Sequence, residues 1–171
     1  MAHIRSELTP VYDENSKILI LGSFPSVKSR EQNFFYGHPQ NRFWRVLPGL
    51  FGEELSTVEE KKDFLLRRRI ALWDVIDSCD IEGSSDASIE NVKENDLTRI
   101  LSVAPIEAIF CNGGTAKKWY DRLLRDALSR EAVQLPSTSP ANARCSREEL
   151  TRRWRAAIAP YLKDAANGAD S

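Results

Sequence analysis

The chain is poor in the residues that build metal and redox centres. Its 171 residues include three cysteines, two histidines and one methionine. Cys79, Cys111 and Cys145 lie far apart and form no CxxC pair. That spacing argues against a zinc site or an iron–sulfur cluster, so no metal is expected, and reduced, partly buried thiols are. No apolar run approaches the roughly 18 residues that would cross a membrane. The opening "MAHIRSELTPVYDENSK" lacks the basic-then-apolar order of a secretory signal. A cytoplasmic protein without membrane association is therefore expected. Neither GxGxxG nor GxxxxGK[ST] occurs, which removes the usual dinucleotide and P-loop readings. Strong net charge is missing too: 24 Lys and Arg face 25 Asp and Glu. There is no internal repeat and no linker. What remains has the size and composition of one globular domain with a real core. The expected domain covers 1–163, and the small polar residues of 164–171 read as a disordered tail.

Local charge says more than the total. Between Lys28 and Arg45, Lys28, Arg30, Arg42 and Arg45 face the single acid Glu31. Between Leu135 and Arg155 stand five arginines against Glu148 and Glu149. Acids gather elsewhere, in "DVIDSCDIEGSSD". Such polarity suits a polyanion, and it also suits ordinary solvated helix faces.

Four short apolar runs read as strands: 17–24, 70–76, 106–111 and 131–135. The first three are continuously apolar, as in strands buried on both faces. Helical patterns lie between them, over 41–52, 56–69, 95–105, 115–128 and 146–162. Trp119, Leu123 and Ala127 are spaced to share one face of the fourth. Ser146 and Glu149 match a capping box for the fifth. The alternation predicts an α/β fold, a three-layer α/β/α sandwich around a four-stranded, mainly parallel sheet. Each strand ends in a polar or turn-rich segment: "GSFPS", "DVIDSC", "CNGG" and "LPSTSPAN". Ligands of such sheets bind beyond the carboxyl ends of the strands, so the four segments should share one cleft.

Each segment also has an ordinary structural reading. Gly22 in "GSFPS" permits close backbone approach, as in any tight turn. Asn112 in "CNGG" can meet a base edge or cap a helix. The hydroxyl-rich loop 135–142 suits phosphate contacts, or is a surface turn. His38 could carry a proton, or simply hold its loop. The acids of "WDVIDSCD" are candidates for catalytic carboxylates and equally for loop caps and salt bridges. Most unusual is "FYGHPQNRFW" (35–44), where four aromatics surround His38 and Asn41. A core strand has no need of the polar groups, and a surface loop has none of the aromatics.

In order, "ILGSFPS", "FFYGHPQNRFW", "ALWDVIDSC", "EGSSDASI", "FCNGGTA" and "LPSTSPAN" resemble the uracil-DNA glycosylase superfamily. Within it they are most similar to the hypoxanthine-DNA (deoxyinosine) glycosylase branch. The resemblance spans roughly residues 17–155, and its most specific parts are "YGHPQNRFW" and the late "PSTSPAN".

The resemblance implies base excision repair: a deaminated base is flipped out of DNA and its N-glycosidic bond is hydrolysed. It implies catalytic roles for Asn41, whose amide oxygen would orient water, and for Asn112, which would bind the leaving purine. Gly22, Phe24, Phe35, Tyr36 and His38 would line the base pocket, with Phe34 a further stacking candidate. Ser137, Thr138, Ser139, Pro140, Ala141, Asn142 and Arg144 would meet DNA, with Arg147 beside them. Many superfamily members carry Asp or Asn inside the first Gly-x-x-Pro motif. Here that place holds Phe24, which cannot handle water and argues against strong uracil activity. No lysine stands out as a nucleophile, so a monofunctional enzyme is expected. No cofactor is implied, and the expected partner of this monomer is DNA holding a deaminated base. The alternatives are a glycosylase for uracil, xanthine or mismatches, a non-catalytic nucleic-acid-binding module, and a hydrolase of free nucleosides.

Overall fold

The computed structural model describes residues 2–167. Its first half contains β1 (Ala2–Arg5), β2 (Ile18–Gly22), α1 (Val27–Gln32), α2 (Phe43–Gly49), α3 (Val58–Arg67), β3 (Ile70–Asp74) and β4 (Ile76–Ile81). Its second half contains β5 (Glu90–Glu94), α4 (Thr98–Leu101), β6 (Ala108–Asn112), α5 (Gly114–Leu123), α6 (Arg125–Leu128), β7 (Val133–Leu135), α7 (Arg147–Ile158) and α8 (Lys163–Asn167).

Four strands form a wholly parallel sheet in the order β3-β2-β6-β7. Every residue of β2 and β3 is buried. "ILILG" and "IALWD" are apolar on both faces because the sheet is covered on both faces. The expected α/β fold with a four-stranded parallel sheet is the one observed. The strand after β2 lies on one side of it and β6 lies on the other. The loops leaving β2 and β6 therefore part, and a crevice opens at their carboxyl ends.

Packing holds the walls of that crevice. Thr57 caps α3 with a complete capping box to Glu60. At α7, Ser146 accepts the Glu149 N–H, but the Glu149 carboxylate turns to Arg152 instead of back to the cap. Trp154 of α7 is fully buried and donates from Nε1 to the Pro136 carbonyl at 3.0 Å. Phe43 of α2 meets the Trp154 ring edge-on at 5.8 Å. So α2, α7 and the segment after β7 form one packed unit.

Several elements differ from the sequence expectations. "DVIDSC" is not a strand-end loop. β3 ends at Asp74, and β4 starts two residues later in a second sheet, antiparallel, ordered β1-β4-β5. Its acids are tolerated because they face cross-strand partners: Asp80 meets His3 at 2.6 Å and Asn91 at 2.5 Å, and Asp77 meets Arg5 at 3.6 Å. On α5 the fully buried residues are Ala116 and Tyr120, one step away from the expected Trp119 stripe. Trp119 packs half-buried beneath Lys118 and Arg122. The helical pattern expected from Asn95 shortens to Thr98–Leu101, and the buried Asn95 side chain instead donates to the Asp74 carbonyl at 2.9 Å. Residues 164–167 continue a helix, with Ala165 buried, rather than starting a frayed tail. The rest of the expected tail, 168–171, lies outside the described residues.

Candidate active site

A cavity of about 520 Å³ opens at the carboxyl ends of the parallel strands. Gly22 of β2, Asp74 of β3 and Asn112 of β6 form its floor, and residues 137–141 beyond β7 form one wall. Phe24, Phe35, Tyr36, His38 and Asn41 supply the opposite side, and Asp86 closes the rim from a 3-10 turn at Asp86–Ser88. The four strand ends do converge.

Thr138 is the hub of the polar network. It is 0 % exposed. Its N–H donates to Asn112 Oδ1 at 3.0 Å, and its hydroxyl accepts from Asn112 Nδ2 at 3.0 Å. The hydroxyl proton then goes to Asn41 Oδ1 at 2.8 Å. That oxygen also accepts the Phe43 N–H at 2.9 Å. Backbone N–H groups can only donate, so those of Thr138 and Phe43 fix which way both amides point.

This direction corrects one expectation. Both lone pairs of Asn41 Oδ1 are taken, so the amide oxygen does not orient water. Asn41 offers the cavity its NH2 group, a donor. It also corrects the role expected for Thr138. A fully buried residue with both polar groups consumed does not touch DNA; it locks the two asparagines together across the sheet.

Arg42 has a similar history. Its charge counted toward the basic stretch, but the guanidinium donates to the carbonyls of Ser139 at 3.2 Å, Asn142 at 3.0 Å and Cys145. Its backbone N–H adds a bond to the Thr138 carbonyl at 3.1 Å. Asn41 and Arg42 together clamp the late hydroxyl-rich loop. Within that loop, Ser139 N–H bonds to Ser137 Oγ, and Asn142 Nδ2 to the Ser137 carbonyl. Gly113 fits beneath it: its φ of 95° lies in the left-handed region, and an added Cβ would meet Ser137 Cβ at 3.0 Å.

The aromatic wall is braced from behind. Tyr36 stacks on Phe43 with centroids 4.0 Å apart. Its φ of 54° is unusual for a bulky residue and is held by that packing. Phe24 lines the cavity with Arg30 over its ring at 5.6 Å. Phe34 does not reach the cavity; it stacks on Trp44 at 5.7 Å within the core. His38 Nδ1 accepts the Gln40 N–H at 3.1 Å, so the neutral ring carries its proton on Nε2.

Two carboxyls share the cavity. Asp74 is buried, and burial, then the charge of Asp86, push it up to about 7. Burial also raises Asp86, against bonds from Thr115 and Ser23 that lower it. Burial lifts the Tyr36 phenol far above its ordinary range, with Asp74 adding to the effect. Its buried hydroxyl makes no hydrogen bond of good geometry. The thiols of Cys79 and Cys111 are held protonated, at about 11 and about 12, by burial. They are inert neighbours.

Outside the 137–141 wall lies a second, open groove of about 850 Å³. Arg144 and Arg153 line it with Asn142, Ser139 and Glu149. Arg144 and Arg147 are exposed and enter none of the ion pairs found among the described residues. No cluster of three or more potential metal ligands occurs among the described residues.

The profile of the uracil DNA glycosylase superfamily matches residues 9–163. The chain belongs to that superfamily. Two curated members from Methanosarcina are similar to it, and each is named a hypoxanthine DNA glycosylase. The Methanosarcina acetivorans protein is 37% identical over 90% of this chain and 97% of its own length. The Methanosarcina barkeri protein is 37% identical over 79% of this chain and 86% of its own. A solution NMR structure from M. acetivorans, named for uracil DNA glycosylase, superposes with a TM-score of 0.74 at 38% identity. It covers 86% of this chain and 92% of that one.

Within this superfamily fold Asp74 lines the cavity, where the sequence leaves it open between a catalytic carboxylate and a loop cap. One signal pointed to it: a lone acid closing an otherwise apolar buried strand, in register with Gly22.

Proposed function

We propose that the chain is a monofunctional DNA glycosylase that removes hypoxanthine from deoxyinosine in DNA. The observation that carries the reading is the pair Asn41 and Asn112, locked by buried Thr138 inside an aromatic-walled cavity. The cavity volume lies within the about 300–1,000 Å³ usual for small-molecule sites. The names of the two Methanosarcina relatives support hypoxanthine as the base. In this reading the protein is a single-domain monomer that acts on deaminated DNA in the cytoplasm.

A base flipped from the helix enters between Phe24, Phe35 and Tyr36. The C1′–N9 bond lengthens, the sugar becomes cationic, and negative charge grows on the purine. Asn112 gives one Nδ2 proton to Thr138 and has a second, beside the Tyr36 hydroxyl, to offer the leaving base. Asn41 donates from Nδ2 to the oxygen of the attacking water, leaving that oxygen's other lone pair for C1′. The water needs placement rather than a strong base, because the sugar is already electrophilic. No lysine lines the cavity. Water therefore closes the reaction, and no Schiff base cuts the strand.

The test is a duplex with one deoxyinosine, assayed for free base and for strand integrity. Hypoxanthine should appear while the strand stays whole until alkali is added. Strand cleavage without alkali, or no base release, would remove the proposal.

A further inference from the structure

We propose that Asp74 is the proton donor to the departing purine, its carboxyl held on the cavity floor in the space that Gly22 leaves empty. The inference rests on the glycosylase reading and adds a catalytic group to it. A Cβ on Gly22 would lie 2.4 Å from Asp74 Oδ1 and 2.9 Å from Tyr36 Oη. The glycine thus makes room for an acid and a phenol to face the same point. Strand register sets the pair, since Gly22 is directly opposite Asp74. The Asp74 carboxyl makes no hydrogen bond or ion pair among the described residues, while Asn95 anchors its backbone carbonyl. Near it, the Tyr36 hydroxyl makes no hydrogen bond of good geometry, the Asn112 amide being its neighbour. A buried phenol without a well-formed hydrogen bond, beside a carboxyl that no side chain pairs, leaves polar groups that a ligand in the cavity can complete.

The surroundings favour the protonated form of this acid. Burial and the Asp86 carboxylate on the 3-10 turn both favour the neutral form. The other titratable groups lining the cavity with it are Tyr36 from the loop before α2 and His38, with Cys111 of β6 behind Tyr36. No lysine or arginine lines the cavity to draw the proton off. DNA phosphates arriving at the rim would act in the same direction as Asp86.

The step balances simply. The Asp74 O–H proton passes to N7 of the purine as the C1′–N9 bond breaks and its electron pair stays on the ring. Water bonds to C1′ and releases a proton, which restores the Asp74 carboxyl. The products are neutral hypoxanthine and an abasic sugar. Purines, which carry N7, gain from such a donor. Uracil, which has no equivalent nitrogen, does not.

The experiment combines Asp74→Asn with 7-deazadeoxyinosine, in which N7 is replaced by carbon, in single-turnover assays from pH 5 to 9. For the wild-type enzyme the rate should fall about tenfold per pH unit above roughly 7. Asp74→Asn should lose on the order of 100-fold at pH 6 and lose that slope. The deaza substrate should slow the wild-type enzyme by a similar factor and leave Asp74→Asn no slower than it already is. Binding of Asp74→Asn to uncleavable DNA reports folding, and the deaza arm needs no variant. Hypoxanthine release by Asp74→Asn at the wild-type rate and pH profile overturns the proposal alone. So does full wild-type activity on the deaza substrate. A wild-type enzyme that releases nothing from deoxyinosine overturns the glycosylase reading and this proposal together.

Discussion

The inner cavity and the outer groove share one wall and could hardly differ more in chemistry. The cavity is lined by aromatics, hydroxyls, two carboxyls and two amides, with no lysine or arginine. The groove beyond residues 137–141 is larger and carries Arg144 and Arg153. The shared loop has an inward residue, Thr138, consumed by Asn41 and Asn112. It also has residues that reach the groove, Ser139 and exposed Ala141. Chemistry on a neutral base wants a dry, preorganised site. Holding a phosphate backbone wants exposed cations. A single loop, clamped from beneath by Arg42, separates the two tasks.

If this division holds, changes inside should alter rate and changes outside should alter affinity. The largest effect is expected from Asn41→Ala. Single-turnover release of hypoxanthine should fall by about 100-fold or more, with binding to uncleavable DNA little altered. Loss of binding in step with rate would blur the two regions into one.

Second is a stability effect of Asp74. Its folded carboxyl titrates near 7 rather than near 4. Its contribution to stability is therefore complete below about pH 4 and is lost as pH rises through about 7. Asp74→Asn cannot ionise, so between pH 5 and 8 its Tm should decline less than that of the wild type. The differential is on the order of a few kcal/mol. Parallel Tm curves would show that the carboxyl is not buried as described.

Third, Thr138→Val keeps the shape but deletes the hydroxyl between the asparagines. A rate loss of about tenfold is expected, near 1–3 kcal/mol for an orphaned buried partner. The double change with Asn41→Ala should lose less than the product of the two single losses, because the Thr138 hydroxyl works partly through Asn41 and partly through Asn112. Multiplying losses would give Thr138 a separate role. The smallest effect belongs to Arg144→Ala. DNA affinity should drop a few-fold, and the salt slope should lessen by about 0.9 for one phosphate contact. An unchanged slope would remove Arg144 from the DNA-binding surface.

Much of this was legible in the residues. Continuous apolar runs revealed the parallel strands, and their polar ends marked the cleft. "YGHPQN" and "PSTSPAN" stood out as a cavity wall and its opposing loop, and they do face each other across it. What stayed hidden depends on distance in space. Nothing in "NRF" says that Arg42 reaches three carbonyls about a hundred positions later. Nothing in "PSTSP" separates inward Thr138 from its hydroxyl neighbours. The strand β4 was hidden because Asp77 and Asp80 break its apolar character, and their partners lie on other strands. Asp74 was visible as an acid, but its isolation from cations is a property of the assembled cavity.

The central claim is that the cavity serves a deaminated purine. It is tested most directly by free-base release from matched duplexes holding deoxyinosine or deoxyuridine, measured side by side at one enzyme concentration. Hypoxanthine should be released faster than uracil. Preferred release of uracil, or no release of either base, would contradict it.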